Sequence, residues 1–405
     1  MIRFFAIRSL SDYFISAFIL VIYQKKKNRL KLLTQASQYN FAYVCLVILA
    51  LVLPTINCDA QNSIEIDPLA GIKVNSPGNF PLAGKSYGIE AAYNMFQRNR
   101  SEEWIKRLHV RDIAIVGGYR NLNNVYITDT ADSKGFLGSI FSISGRLNFN
   151  LANFNKTEVL LLTSVGITYS SSSFFSDGNP IVGSRLNFSP QVGIKIRTPL
   201  SMSTSLVAGV DFFHYSNVGF QTPNKGVNSS ELSLGIIQDV STAEKKTVQR
   251  KPDNVRSFID LGADIGRRGS FESRAGNWKS GLYAAYNYKL NPVISIKAGG
   301  DAIYYFTTFD QTGASFQYYA TSYDHWRAGV SLGSDVWLGK LVFMSSYGYY
   351  LKYNSYYPIK YYGTTGFKYY INEWSGIQMK IYFHKGQADY CGFGLAFRIP
   401  TNKFY

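Results

Sequence analysis

Cysteine and histidine are scarce in this chain of 405 residues, which holds three of the first and four of the second. Cys45 and Cys58 fall in or beside a leader-like N-terminus, so Cys391 stands alone in the rest. That excludes a disulfide framework and a Cys-rich metal site. Charge is thin too, at 17% of residues against 46% hydrophobic. Beyond the N-terminus no run approaches the roughly 18 to 20 apolar residues that a membrane-spanning helix needs. There is no glycine motif set between a strand and a helix, and no repeat of fixed period. Nucleotide-binding folds and solenoids are therefore set aside, and no nucleic-acid partner is expected.

What is abundant is Tyr (31), Phe (28) and Gly (35). Tyr and Phe favour strands, and aromatic rings gather at membrane interfaces. If the chain enters a membrane, it does so as strands.

The first 60 residues read as a leader. A basic run (Lys25, Lys26, Lys27, Arg29, Lys31) precedes an apolar stretch from Phe41 to Leu53, then small and polar residues up to Ala60. That is the order of a secretory signal, with cleavage expected after Ala60. An earlier apolar patch, Phe14 to Tyr23, suggests an upstream extension or an anchor. Thr55, Ile56 and Asn57 do not make a lipobox before Cys58. The whole chain carries a formal +16, and removal of the leader leaves 35 basic and 24 acidic side chains, a net +11. Such a surface suits an anionic partner, phosphorylated lipid among them.

After a weak strand candidate at 62–73, within an N-terminal segment spanning 61–87, the region 88–405 reads as short alternating segments. Candidate strands lie at 88–97, 111–121, 136–151, 157–170, 187–198, 203–216, 229–240, 256–268, 278–290, 294–309, 325–338, 341–353, 358–372, 376–385 and 389–399. Ile377, Met379, Ile381 and Phe383 oppose Gln378, Lys380, Tyr382 and His384. One row is apolar; the other carries charge, glycine and tyrosine. Strands of this length suit a tilted membrane crossing better than a sandwich. Short connections also alternate with long Gly/Ser/Asn-rich ones, as at 171–186 and 310–324. The expectation is an all-β protein, a transmembrane antiparallel β-barrel of about 14 to 16 strands integral to an outer membrane, with short turns inside and long loops outside. A single ring is preferred. Two eight-stranded barrels in tandem, divided at 241–255, is the alternative.

Within that frame the stretch Ser203–Glu231 stands out. Leu206, Ala208, Val210 and Phe212 share one face, opposite Ser205, Gly209 and Asp211. His214 and Ser216 continue the apolar row. A turn before 203 is short, so this strand climbs outward and the pair faces lipid at its outer end. Other histidines are His109 in a loop, and His325 and His384 on expected lumen rows. Intramembrane polar groups facing lipid are costly and therefore point to function. Serine becomes a nucleophile when an imidazole takes its proton, and i, i+2 residues of a strand share a face. Asn228, in phase with Leu232, Leu234 and Ile236, is the candidate to orient the imidazole; Glu231 has the opposite phase. The main chain at Val218 and Gly219 and the side chain of Asn224 are candidate donors to an oxyanion.

The run His214-Tyr-Ser-Asn217, followed by Pro223-Asn224-Lys-Gly226-Val-Asn228, resembles the PagL-type lipid A 3-O-deacylases. The C-terminal run Lys380–Ile399, KIYFHKGQADYCGFGLAFRI, is similar to the longer Bacteroidetes acyloxyacyl hydrolases. The resemblance implies an outer-membrane serine esterase, with Ser216 as nucleophile, His214 as base and Asn224 as oxyanion donor. It implies removal of the ester-linked 3-hydroxyacyl chain at position 3 of lipid A, in lipopolysaccharide, without a metal or other cofactor. One departure is Asn228, where the family has an acid. The Ser-His-Asn set is instead similar to outer-membrane phospholipase A, which would bring calcium and a homodimer with it. An inactive, porin-like or structural barrel is the reading from another class.

Overall fold

A computed structural model describes residues 62–77, 80–96, 102–128, 135–240, 253–269, 276–309, 322–355 and 359–403. The leader-like segment and most of 241–255 lie outside the described residues. Alternation of apolar and polar residues produces strands nearly everywhere else. They are β1 (Asn62–Asn75), β2 (Leu82–Ala83), β3 (Tyr87–Phe96), β4 (Val110–Asn121), β5 (Tyr126–Ile127), β6 (Ser139–Phe154), β7 (Thr157–Ser170), β8 (Leu186–Pro199), β9 (Thr204–Tyr215) and β10 (Val227–Asp239). They continue as β11 (Val255–Arg268), β12 (Asn277–Lys289), β13 (Ile294–Tyr305), β14 (Trp326–Leu338), β15 (Leu341–Lys352), β16 (Tyr361–Tyr370), β17 (Ser375–His384) and β18 (Gln387–Lys403). Two short helices, α1 (Glu103–Arg107) and α2 (Phe174–Asp177), lie in connections.

The strands close into two antiparallel barrels of eight, in the orders β1-β10-β9-β8-β7-β6-β4-β3 and β11 to β18. The expected antiparallel barrel wall of about 14 to 16 strands is present, with sixteen, but it closes as the alternative pair of eight-stranded barrels and not as the preferred single ring. The physical reason is the pairing of β1. Asn62–Asn75, a weak strand in the sequence, pairs on one edge with β3 and on the other with β10, for instance Ser63 with Asp239. With its last edge satisfied, the first sheet has nowhere to add β11, which pairs with β18 instead. The short β2–β5 pair stands apart from both rings.

Outward rows are apolar and exposed: Leu232, Leu234 and Ile236 on β10, and Ile377, Phe393 and Leu395 on the second barrel. Leu332 leaves 69% of its surface uncovered, which makes sense only if lipid covers it. Trp278, Trp326 and Tyr361 expose rings near one rim, and Phe154, Tyr369 and Trp374 near the other, as aromatic girdles do.

Inward rows are polar and paired. Arg120 donates to Glu231 at 2.9 Å and to Glu90 at 2.8 Å, Arg146 meets Glu65 at 2.7 Å, and Lys195 bridges Glu65 and Asp67. In the second barrel Asp389 holds Lys279 at 2.6 Å and accepts from Tyr305 at 2.8 Å; Asp301 is paired with Lys380 and Tyr362. Charges this far from water survive only when paired. Eight strands leave room for side chains and no more.

Short turns gather at one rim, for example Asn155–Lys156 and Gly339–Lys340. The long connections 171–185 and 216–226 lie at the other, called the outer rim below. Exceptions are the 97–109 connection, which carries α1 at the short-turn rim, and the two-residue turn Lys385–Gly386, whose positive φ angles (47° and 79°) close β17 onto β18 at the outer rim. Both barrels fall in one compact unit, Asp59–Tyr405.

Two separate closures predict that a chain ended after Val240 still folds. In detergent it should give a heat-modifiable band and a β-type circular dichroism spectrum. Failure to form that band would argue for one ring.

Candidate active site

β9 rises from the short turn at 200–203, and its outward row runs Leu206, Ala208, Val210, Phe212 and His214, with Ser216 next. Directly across the sheet, Asn228 is the register partner of His214. Both are half-buried on the outer face, as expected from their phase. Glu231 points inward to Arg120, so it is not available to the imidazole.

His214 Nδ1 stands 2.6 Å from Asn228 Oδ1. A carbonyl oxygen only accepts, so Nδ1 carries the proton and Nε2 keeps its lone pair. That is the tautomer a general base needs. Ser216 is fixed by β8: its N–H donates to Phe188 O at 3.0 Å, and Phe188 N–H donates back at 2.8 Å.

Gly226 clears the space between ring and serine. A methyl group there would lie 2.6 Å from His214 Cε1, 3.2 Å from Nε2 and 3.3 Å from Ser216 Cβ. Nε2 and Ser216 therefore border the same small volume. Gly226 also has φ +72°, a conformation that side chains resist. Among the described residues Ser216 Oγ makes no hydrogen bond, so its hydroxyl can rotate towards Nε2; such contacts commonly tighten only with substrate bound.

The loop 216–226 is held tightly. Phe220 N–H donates to Asn217 O at 3.0 Å across Val218 and Gly219, whose φ values are +49° and +93°. A β-branched residue at positive φ is an outlier that invites a functional reading. Buried Asn217 organises the turn: its Oδ1 accepts from Gly219 N at 3.1 Å and from Gln221 N at 3.3 Å. Of the three candidate oxyanion donors, the Gly219 N–H is thus already engaged. Asn224 Oδ1 accepts from Asn217 N–H at 2.9 Å, which leaves its amide Nδ2 as the donor. Ser76 Oγ donates to Gly226 O at 2.7 Å, and Lys225 N–H donates to Ile181 O at 3.1 Å. Beneath, an apolar plug of Val74, Leu122, Ile181, Val182, Phe213, Tyr215 and Val227 fills the outer mouth of the first barrel.

Other histidines behave differently. His384 is a buried lumen residue bonded to Tyr350 Oη at 2.8 Å. His325, expected in the lumen, is exposed at the outer mouth and stacks on Tyr304 at 5.4 Å; the strand row ends before it. Sequence reasoning missed Gly226 and Asn217. A Gly in the turn just before the strand that carries Asn228 was the clue for the first.

Lipid-exposed strand rows, girdles and paired interiors define an integral outer-membrane β-barrel protein. Residues 88–236 match the family described as lipid A 3-O-deacylase (PagL), and residues 257–402 match the acyloxyacyl hydrolase C-terminal domain. The chain thus carries a PagL-type segment and an acyloxyacyl hydrolase C-terminal segment, one per barrel. Among solved structures, Neisserial surface protein A is 12% identical, with TM-score 0.32, over 44% of this chain and 97% of its own. The outer membrane enzyme PagL is 18% identical, with TM-score 0.30, over 44% and 99%. No curated protein sequence matches the chain.

Gly226→Ala should push the imidazole off the serine while the barrel stays folded. A displacement near 1 Å predicts a loss of about hundredfold in kcat, read by ester turnover alongside heat-modifiability. Unchanged turnover would remove Gly226 from the site.

Proposed function

We propose that the chain is an outer-membrane serine esterase that removes an ester-linked acyl chain from lipid A, by 3-O-deacylation. The observation that carries this reading is the Nδ1–Asn228 contact on the outward row, with Nε2 and Ser216 Cβ both bordering the space beside Gly226. Ser216 Oγ attacks the ester carbonyl carbon as His214 Nε2 takes its proton. Negative charge develops on the carbonyl oxygen, where Asn224 Nδ2 and the Val218 N–H are the donors at hand. Collapse breaks the C–O bond, and His214 returns the proton to the departing sugar alcohol. Water then releases the acyl group from Ser216 by the same steps in reverse order. Asn228 fixes the tautomer but lends no charge to the imidazolium, so the rate is held down. A site at the outer end of β9 meets the external leaflet, where lipopolysaccharide lies.

Lipid A from cells expressing the chain should lack one 3-hydroxyacyl group by mass spectrometry, and Ser216→Ala should restore it. Unchanged lipid A would refute the assignment. Hydrolysed phospholipid in its place, abolished by a calcium chelator, would instead support a phospholipase. Asn228→Asp should raise kcat several-fold, since a carboxylate stabilises the imidazolium; a fall would show that the amide itself is required.

A further inference from the structure

The family's second segment has no role in the chemistry above, yet the second barrel reaches the site. Gly269 N–H, just past β11, donates to Gly219 O at 3.0 Å, and Thr222 Oγ1 donates to Gly269 O at 2.8 Å. Gly219 also lies against the start of β18: a methyl on it would be 3.3 Å from Ala388 O. The turn that follows Ser216 is therefore seated on the rim of the other barrel. Near the short-turn rim, α1 approaches the β14–β15 turn, where a methyl on Gly339 would sit 3.3 Å from Trp104 Nε1. Rims of the same kind meet, and strand tilt changes which strands face each other with depth.

Three rings sit on the outer wall at this junction. Phe393 of β18 stacks on Phe220 at 5.9 Å and meets Phe188 at 6.4 Å. Phe188 is the register partner of Ser216, and side chains of directly opposed residues lie together on one face. An aromatic path thus runs from the serine to the second barrel. Phe393 keeps 44% of its surface exposed despite both contacts, and two rounded walls that touch leave a crevice open to lipid beside it. Below it Leu395 and Phe397 continue the outward row of β18.

We propose that this crevice is the binding site for the acyl chain to be cleaved, with Phe393 as a positioning residue supplied by the second barrel. The inference rests on the esterase reading above. The occupant is one acyl chain of the lipid substrate. Its carbonyl sits at Ser216, and its hydrocarbon runs down past Phe188 and Phe393. Lipid tails are as apolar as any side chain, so the crevice gains nothing by hydrophobic transfer. What rigid rings supply is orientation, which holds the ester carbonyl in line with the serine. The effect belongs in kcat more than in KM, and it needs a chain long enough to reach Phe393.

The test uses the full-length chain in detergent micelles with p-nitrophenyl butyrate and p-nitrophenyl myristate. Phe393→Ala should lower kcat for the myristate by about tenfold, leave its KM within about twofold, and leave butyrate turnover unchanged. Phe393→Leu should fall between. Phe343→Ala, on a lipid-facing ring of β15, serves as a folding and surface control and should match the parent on both esters. Parent-like rates on both esters in Phe393→Ala would overturn the crevice while leaving the esterase intact. An equal loss on both would overturn it too, by showing that Phe393 only supports the fold. Ester turnover insensitive to Ser216→Ala would overturn the reading beneath it.

Discussion

A backbone amide in hydrocarbon has no water to bond to, so every strand edge in the membrane must be paired. That constraint closes β10 onto β1 and β18 onto β11. Closure in turn locks the register, and a slip of one residue would exchange the two faces of a strand. The outward facing of His214, Ser216 and Asn228 follows from this parity. So does the inward facing of Glu231, which the Arg120 network holds.

The interior then explains how a polar site can rest on a lipid-facing wall. Both barrels are filled by paired charges and tyrosines, and the first is plugged at its mouth by apolar residues from strand ends and connections. Rigid backing lets the 216–226 loop keep Val218 in a costly conformation. Asn217, at the centre of the turn, spends three hydrogen bonds on that shape. The second barrel adds support from outside. Asp389, beside the point where Gly219 lands, anchors Lys279 and Tyr305. The C-terminal run that carries the acyloxyacyl hydrolase resemblance is largely the hairpin β17–β18, which faces the site loop.

Much of this was legible in the sequence because period-two alternation is local. Strand rows, rims, and the common facing of His214, Ser216 and Asn228 all follow from counting by twos. Closure was not legible. Whether β10 pairs with β1 or β11 is a choice between distant partners, and β1 has a weak pattern because Pro68 and Ala70 interrupt its outward apolar row while Leu69 falls on the inward one. The Gly226 clearance and the engaged Gly219 N–H depend on backbone torsions that residue types only suggest. The Phe188–Phe393 contact joins residues from two barrels, and no local pattern encodes it.

An active-site-directed fluorophosphonate, applied to the folded protein and mapped by peptide mass spectrometry, addresses the central claim most directly. A reactive hydroxyl facing out of the wall predicts one adduct, on Ser216, and its loss in His214→Ala. No adduct, or an adduct on another serine with Ser216 unmodified, would contradict the account.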